Sequence, residues 1–248
     1  MSLEVKRAVK NGIKKLLASR GYVLMRTDAQ QVLGTMESAL AGIARRQHSF
    51  NTVVDVGASD GSWTRLLLPH FPACQYLLIE AQAVHEESLE RFAREQRNVQ
   101  FALAAAADRV GEINFDGSDP FGGRASVTPF ATHNLTVPVT TIDHEVGARG
   151  LRGPYLLKLD THGFEVPILG GGERTLADTE VLVIECYNFR IAPECLLFNE
   201  MCDYLKRFGL RCIDLVDAFH RPYDGSFWQA DLVFVKETRP EFDRLSWK

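Results

Sequence analysis

The chain has 248 residues and lacks any apolar run long enough to span a bilayer, and its N-terminus lacks the unbroken apolar centre of a secretion signal. Both absences lead to the expectation of a soluble, cytoplasmic protein. Cysteine is sparse: Cys74, Cys186, Cys195, Cys202 and Cys212 form an odd set with no C-x-x-C pair. That disfavours a disulfide framework and a zinc site and fits reduced thiols. No surplus of positive charge exists either, since the net charge is −4, which excludes a generic binder of polyanions. Internal repeats and low-complexity tracts are missing as well. A chain of this length, 46% hydrophobic and 24% charged, can bury a full core without metal or disulfide staples.

Charge is nevertheless concentrated at one end. Residues 1–26 hold seven basic groups against Glu4 alone, so the remainder is strongly acidic. Val5, Val9, Ile13, Leu16 and Leu17 recur there at helical spacing. Such a basic amphipathic helix suits an anionic membrane surface or a partner presenting an acidic substrate. It equally suits a solvated helix whose apolar stripe packs on the domain or on a second subunit, and the oligomeric state stays open. Residues 27–50 read as a second helix with Val32, Leu33, Met36, Leu40 and Ile43 on its apolar face. The expected division is a helical extension over 1–50 and a main domain over 51–248.

From Asn51 onward, short apolar runs alternate with amphipathic stretches. TVVDVGA, YLLIEA, VQFALAAA, YLLKLDT, VLVIECY, LRCIDLVDA and ADLVFVKE read as strands, with helices between most of them. Strands that are apolar throughout and separated by helices predict an α/β fold with a mostly parallel sheet covered on both faces. The last two runs are joined by FHRPYDGSFWQ, which has no helical period, so the final strand is expected to be antiparallel. Residues 108–150 are punctuated by glycine and proline and read as short strands or loops. Seven strands in this order have the layout of a Rossmann-like methyltransferase sheet.

In such sheets a ligand sits over the carboxyl ends of the strands where their order reverses. The stretch VVDVGASDGSWT ends the first strand there, and Gly57 and Gly61 let backbone approach a ligand closely. A dinucleotide site also uses a glycine bend, but its G-x-G-x-x-G fingerprint is absent: Ala58, Ser59 and Asp60 separate the two glycines. Asp55 and Asp60 would repel a pyrophosphate, whereas a ligand with a positive end suits them. S-adenosylmethionine has such an end. Glu80 closes the second strand, where an acid accepts hydrogen bonds from ribose hydroxyls of either ligand. Alternatively Asp55 caps the following helix and Glu80 is a solvated strand end.

VVDVGASDGSWT, YLLIEA, VPVTTID and YLLKLDTHGFEVPILGGGERTL together resemble the FkbM family of S-adenosylmethionine-dependent methyltransferases, over about residues 50–236. The resemblance implies a class I methyltransferase fold and O-methylation of hydroxyls on sugars, glycolipids or secondary metabolites. It implies that Asp55, Gly57 and Gly61, with Ala58 and Ser59 between them, line the methionine end of the cofactor. It places Glu80 on the ribose, and Ala105 with Asp108 at the border of the adenine. Many members carry a shorter acidic variant where this chain has DTHGFE, so a role for His162 is not inherited.

Methyl transfer to a hydroxyl needs the oxygen held in line with the methyl carbon, water excluded, and a group to take the proton. Asp160 closes the fourth strand and is read as the acid facing substrate or metal. His162 is the candidate base and Glu185, ending the fifth strand, the third catalytic candidate. The competing readings are a helix cap for Asp160 and an exposed loop histidine for His162. Glu165 is expected as a first-turn acid of the next helix. Asp160 and Glu185 offer hard oxygen ligands that admit magnesium without establishing it, and no metal is assigned. Of the aromatics, Tyr187 is expected to stack on the acceptor. The leading function is thus an O-methyltransferase acting on a small-molecule or glycan acceptor. An NAD(P)-dependent oxidoreductase and a non-catalytic cofactor-binding scaffold are the alternatives. A nucleic-acid partner is not expected, because the main body is acidic.

Overall fold

β1 (Thr52–Val56), β2 (Gln75–Glu80), β8 (Tyr155–Leu159) and β9 (Thr179–Tyr187) are nearly all buried, as strands covered on both faces must be. The structure, a computed structural model, describes residues 34–246 together with Ile13 and Leu17, both helical. The other residues of the basic segment, and residues 27–33 of the expected second helix, lie outside the described residues. No helix among the described residues is long and apolar enough to cross a membrane.

With β3 (Val99–Leu103), β10 (Leu210–His220) and β11 (Phe227–Lys236), these strands form a seven-stranded sheet in the order β10-β11-β9-β8-β1-β2-β3. β1 runs parallel to β2 and β8, β3 to β2, and β9 to β8. β11 is antiparallel to both β9 and β10, as the missing helix between the last two strands led us to expect. The chain starts in the middle of the sheet, travels outward to β3, and returns on the other side of β1. The order therefore reverses between β1 and β8, and a crevice opens above that point.

VQFALAAA is not one strand. It divides into β3 and the two-residue β4 (Ala105–Ala106), which leaves the main sheet and pairs with β7 (Asn134–Thr140). β5 (Gly111–Asp116) and β6 (Arg124–Ser126) complete a second sheet ordered β4-β7-β5-β6. The irregular region 108–150 thus builds a small sheet, followed by the helix α4 (Ile142–Ala148), whose N-terminus is capped by the Thr141 hydroxyl accepting from His144 N at 3.0 Å.

Pleat alternation sends side chains of the main sheet into two cores. Val54, Val56, Leu77, Ile79, Leu157 and Leu159 face one side; Val53, Tyr76, Leu78, Leu156, Val183 and Val233 face the other. Onto the second side packs α1 (Met36–Arg45), through Met36, Ala39, Leu40 and Ile43. Thr35 caps it, its hydroxyl accepting from Ser38 N at 3.3 Å. This helix is shorter than the expected 27–50 and belongs to the sheet's own core. The compact unit begins at Gly34, so the expected boundary at residue 50 falls inside it.

Candidate active site at the strand reversal

On the second face, at the carboxyl ends of the strands, apolar side chains give way to ionisable ones. Asp55 on β1 is paired in register with Lys158 on β8, and Glu185 on β9 with Asp231 on β11. Asp55 is fully buried. Its Oδ2 accepts from the Thr64 hydroxyl at 2.7 Å and its Oδ1 lies 3.4 Å from Lys158 Nζ. The same ammonium reaches Asp160 Oδ2 at 3.2 Å, donates to the Gly57 carbonyl at 3.2 Å, and sits 5.9 Å above the Trp63 ring. Burial works against the charge on Lys158, but Asp160 and Asp55 outweigh it and raise its pKa. Burial likewise opposes ionisation of Asp160, yet Lys158 and His162 hold its carboxyl below the usual range. For Asp231 burial, with the charges of Asp160 and Glu185, outweighs the help of Lys158 and pushes the pKa up to about 7.

The bend after β1 is built for close approach. Gly57 has φ +73°, and a Cβ there would fall 2.0 Å from the Asp160 carbonyl oxygen. Only glycine lets the ends of β1 and β8 come this near. Gly61 (φ +82°) begins α2 (Ser62–Leu67), and its missing Cβ makes room for the Phe92 ring of α3 (Glu86–Glu95). Glu80 is buried at the tip of β2, accepting from Ser59 N at 2.7 Å and Gln82 N at 2.8 Å. It is no solvated strand end.

A cavity of about 300 Å³ lies above the reversal. Gly57, Ala58, Ser59, Glu80, Ala105, Asp160 and His162 line it, joined by Trp63, Lys158 and residues Pro120, Phe121 and Gly123 of one loop. Four expected site residues lie outside its wall. Asp55 sits beneath, its charge committed to Lys158 and Thr64, and it caps no helix. Gly61 packs against α3. Asp108 is exposed and paired with Arg109 at 3.0 Å, because the chain has already left the main sheet at β4. Glu185 lies below His162.

His162, in the left-handed region at φ +54°, is held on both ring nitrogens. Nε2 is 3.0 Å from the Phe121 carbonyl; Nδ1 is 3.0 Å from Glu185 Oε2 and 2.9 Å from the Tyr187 hydroxyl. Burial alone would lower its pKa, but the hydrogen bond and charge of Glu185, the charge of Asp160 and the Phe121 carbonyl push it up to about 9. A ring that donates from both nitrogens has no lone pair for a proton, which corrects the expectation that His162 is the base. Glu185 is no free acid either: Gln229 and the Tyr187 hydroxyl both donate to it. Tyr187 is buried, meets Trp228 edge-on and does not line the cavity, so the expected stacking on an acceptor is not available to it. Phe164 is the cap residue of α5 (Glu165–Gly170), which disposes of the capping reading of Asp160. Glu165 is the first-turn acid of that helix; burial raises its pKa, although Gly163 N and the Thr161 hydroxyl donate to it.

The loop over the cavity is tied down by its carbonyls. Gln82 Nε2 reaches Asp119 O at 3.2 Å and Pro120 O at 2.9 Å, His85 Nε2 lies 2.7 Å from Pro120 O, and His162 holds Phe121 O. His85→Ala removes one of these ties, worth about 1 kcal/mol. Stopped-flow displacement of bound S-adenosylhomocysteine should show release about fivefold faster; unchanged release would mean that the loop does not limit exit.

Lys158 was not singled out from the sequence, although a lysine inside the apolar run YLLKL is a signal in itself: a buried ammonium demands an acid, and Asp55 stands in the neighbouring strand. Gln82 and His85 carried no comparable signal.

A family model described as the Methyltransferase FkbM domain matches residues 55–212. No curated protein matches the chain. Solved structures of similar fold include the Methanococcus jannaschii fibrillarin pre-rRNA processing protein, at 14% identity and TM-score 0.48, covering 75% of this chain and 66% of that one. A precorrin-6y C5,15-methyltransferase from Geobacter metallireducens has 12% identity and TM-score 0.44, covering 81% and 87%. The 1,6-didemethyltoxoflavin-N1-methyltransferase of Burkholderia thailandensis has 12% identity and TM-score 0.43, covering 94% and 89%.

Proposed function

Because the chain belongs to the FkbM methyltransferase family and is an S-adenosylmethionine-dependent methyltransferase, we propose that its acceptor is a hydroxyl of a small molecule or glycan. The observation that carries this reading is Asp160. Its Oδ2 is fixed by Lys158, while its Oδ1 is buried without a hydrogen-bond partner, and the side chain forms part of the cavity wall. An alcohol oxygen must lose a proton when it is methylated, and Asp160 is a cavity-wall carboxylate that Lys158 and His162 hold below the usual pKa range.

The residues present fit the methyl donor. Both Glu80 oxygens are fixed by backbone amides and keep lone pairs for ribose hydroxyls. Ala81 and Ala104–Ala106 offer a shallow apolar wall of a kind that suits a purine face. When bound, S-adenosylmethionine supplies an electrophilic methyl group on a sulfonium centre. Gly57 brings backbone close to its methionine end, whereas Asp55 spends its charge on Lys158 beneath the cavity. Phe121 and Pro120 keep water from the reacting side, and Lys158 holds Asp160 ionised.

Isothermal titration separates this reading from a dinucleotide enzyme. S-adenosylhomocysteine is expected to bind with micromolar affinity, and NAD and NADP not at all. Binding of either dinucleotide in the same cavity would overturn the proposal. Turnover on a panel of sugar and polyketide alcohols, followed by release of S-adenosylhomocysteine, tests the acceptor class; methylation confined to amines or carbon would refute the hydroxyl.

A further inference from the structure

We propose that Asp160, His162 and Glu185 form a binding site for one divalent transition-metal ion at the edge of the cavity. On the reading that the acceptor is an alcohol, the ion takes the acceptor hydroxyl as a further ligand. One ligand atom from each residue lies within 4.8 Å of the others. His162 Nδ1 is 3.0 Å from Glu185 Oε2 and 3.9 Å from Asp160 Oδ1. Bonds of about 2.1 Å around an octahedral ion put adjacent ligands about 3.0 Å apart and opposite ones about 4.2 Å apart. Both observed separations fall in that span, so little movement is needed to close the shell.

Two observations outside the cluster's own spacing point to a cation. The first is Asp160 Oδ1, buried with no partner while the other oxygen of the same group is held by Lys158. A buried carboxylate oxygen is normally satisfied, and this one is turned toward the place an ion would fill. The second is the hydrogen bond on the far side of the imidazole. His162 Nε2 donates to the Phe121 carbonyl, which leaves Nδ1 as the atom facing the two carboxylates. That is the outer contact by which metal-bound histidines are oriented. Gln229 and Tyr187 brace Glu185 in the same way.

Charge balance agrees. Asp55, Asp160, Glu185 and Asp231 share this end of the sheet with Lys158 as the permanent cation. His162 Nδ1 faces Glu185 Oε2 at 3.0 Å across the gap. A divalent ion in that gap would supply positive charge among these carboxylates. One imidazole with two carboxylates favours Mn²⁺, Fe²⁺ or Zn²⁺ over Mg²⁺ or Ca²⁺, whose preference is for oxygen alone. Asp160 and His162 line the cavity and Glu185 lies beneath, so the remaining positions open toward the acceptor. An alcohol on such an ion becomes more acidic, and its proton passes to solvent or to a cavity carboxylate.

The test uses the full chain freed of metal by chelator and titrated with Mn²⁺. One ion per chain is expected, with an electron paramagnetic resonance signal showing coupling to an imidazole nitrogen. Glu185→Gln and His162→Asn should weaken binding at least about tenfold, and His162→Asn should lose the nitrogen coupling. S-adenosylhomocysteine binding, measured on the same samples, reports whether each variant is folded. Should Mn²⁺, Fe²⁺ and Zn²⁺ all fail to saturate the native chain, or bind equally to both variants while these still hold S-adenosylhomocysteine, the metal site is refuted. That outcome leaves the methyl-donor reading standing, whereas metal binding without any S-adenosylhomocysteine binding overturns that reading alone.

Discussion

Replacing Lys158 with Met should destabilise the protein by about 3–5 kcal/mol, the usual cost of stranding a buried charge by removing its partner. Lys158 is 4% exposed and stands between Asp55, fully buried, and Asp160. Methionine fills a similar volume, so the effect is electrostatic and not a cavity. A second readout isolates that cause. Without the ammonium, Asp55 keeps only the Thr64 hydroxyl, and burial, already the largest influence raising its pKa, goes unopposed by a cation. A carboxyl whose folded pKa lies above its unfolded value binds more protons when folded, so stability falls as pH rises through that window. The deficit of Lys158→Met should therefore shrink between about pH 8 and about pH 5. Chemical denaturation at both pH values checks it. A deficit that is small, or equal at the two, would mean that Lys158 does not neutralise these carboxylates.

The same row of charges explains how the fold makes a site at all. A parallel sheet covered on both faces offers no solvent to an ionisable group except at the ends of its strands. Such an end lies at the reversal between β1 and β8, and there Lys158 reaches both Asp55 and Asp160. Asp55 is thereby a foundation and Asp160 a working surface. The lysine also donates to the Gly57 carbonyl, so the bend and the carboxylate are positioned by one side chain. Trp63 packs beneath the ammonium and lines the cavity.

Much of the main sheet could be read from the sequence because buried parallel strands are apolar along their whole length, and each of the seven runs contributes a strand to it. VQFALAAA reads as one strand because alanine carries no information about which sheet it joins; the second sheet is decided by long-range pairing of β4 with β7. α4 was missed because the seven residues of IDHEVGA are too few to establish a helical period. At the site, Glu80 and the Gly57 bend were legible from position alone, since both end a strand beside the crevice. The division of labour between Asp55 and Asp160 was not, because it depends on the face each side chain takes. Asp55 follows the pleat of Val53 into the core, whereas Asp160 lies one residue past the end of β8 and escapes it. His162 illustrates a further limit. Its residue type suggests a base, but whether an imidazole has a free lone pair is fixed by Phe121, 41 residues away along the chain.

Asp160→Asn should lower the turnover number by about 10²–10⁴, the usual contribution of a positioned proton acceptor, while costing little stability. The amide is isosteric, and its oxygen can still accept from Lys158, whose charge remains paired with Asp55 at 3.4 Å. What disappears is the negative charge at the cavity wall. Two measurements divide its consequences. If Asp160 chiefly faces the methionine ammonium, the affinity for S-adenosylhomocysteine falls and the turnover number at saturating donor recovers. If it chiefly serves the acceptor hydroxyl, donor affinity changes little and the loss persists at saturation of both substrates. The second result is expected: Oδ1 lies 3.9 Å from His162 Nδ1. Full turnover in Asp160→Asn would remove Asp160 as the proton acceptor.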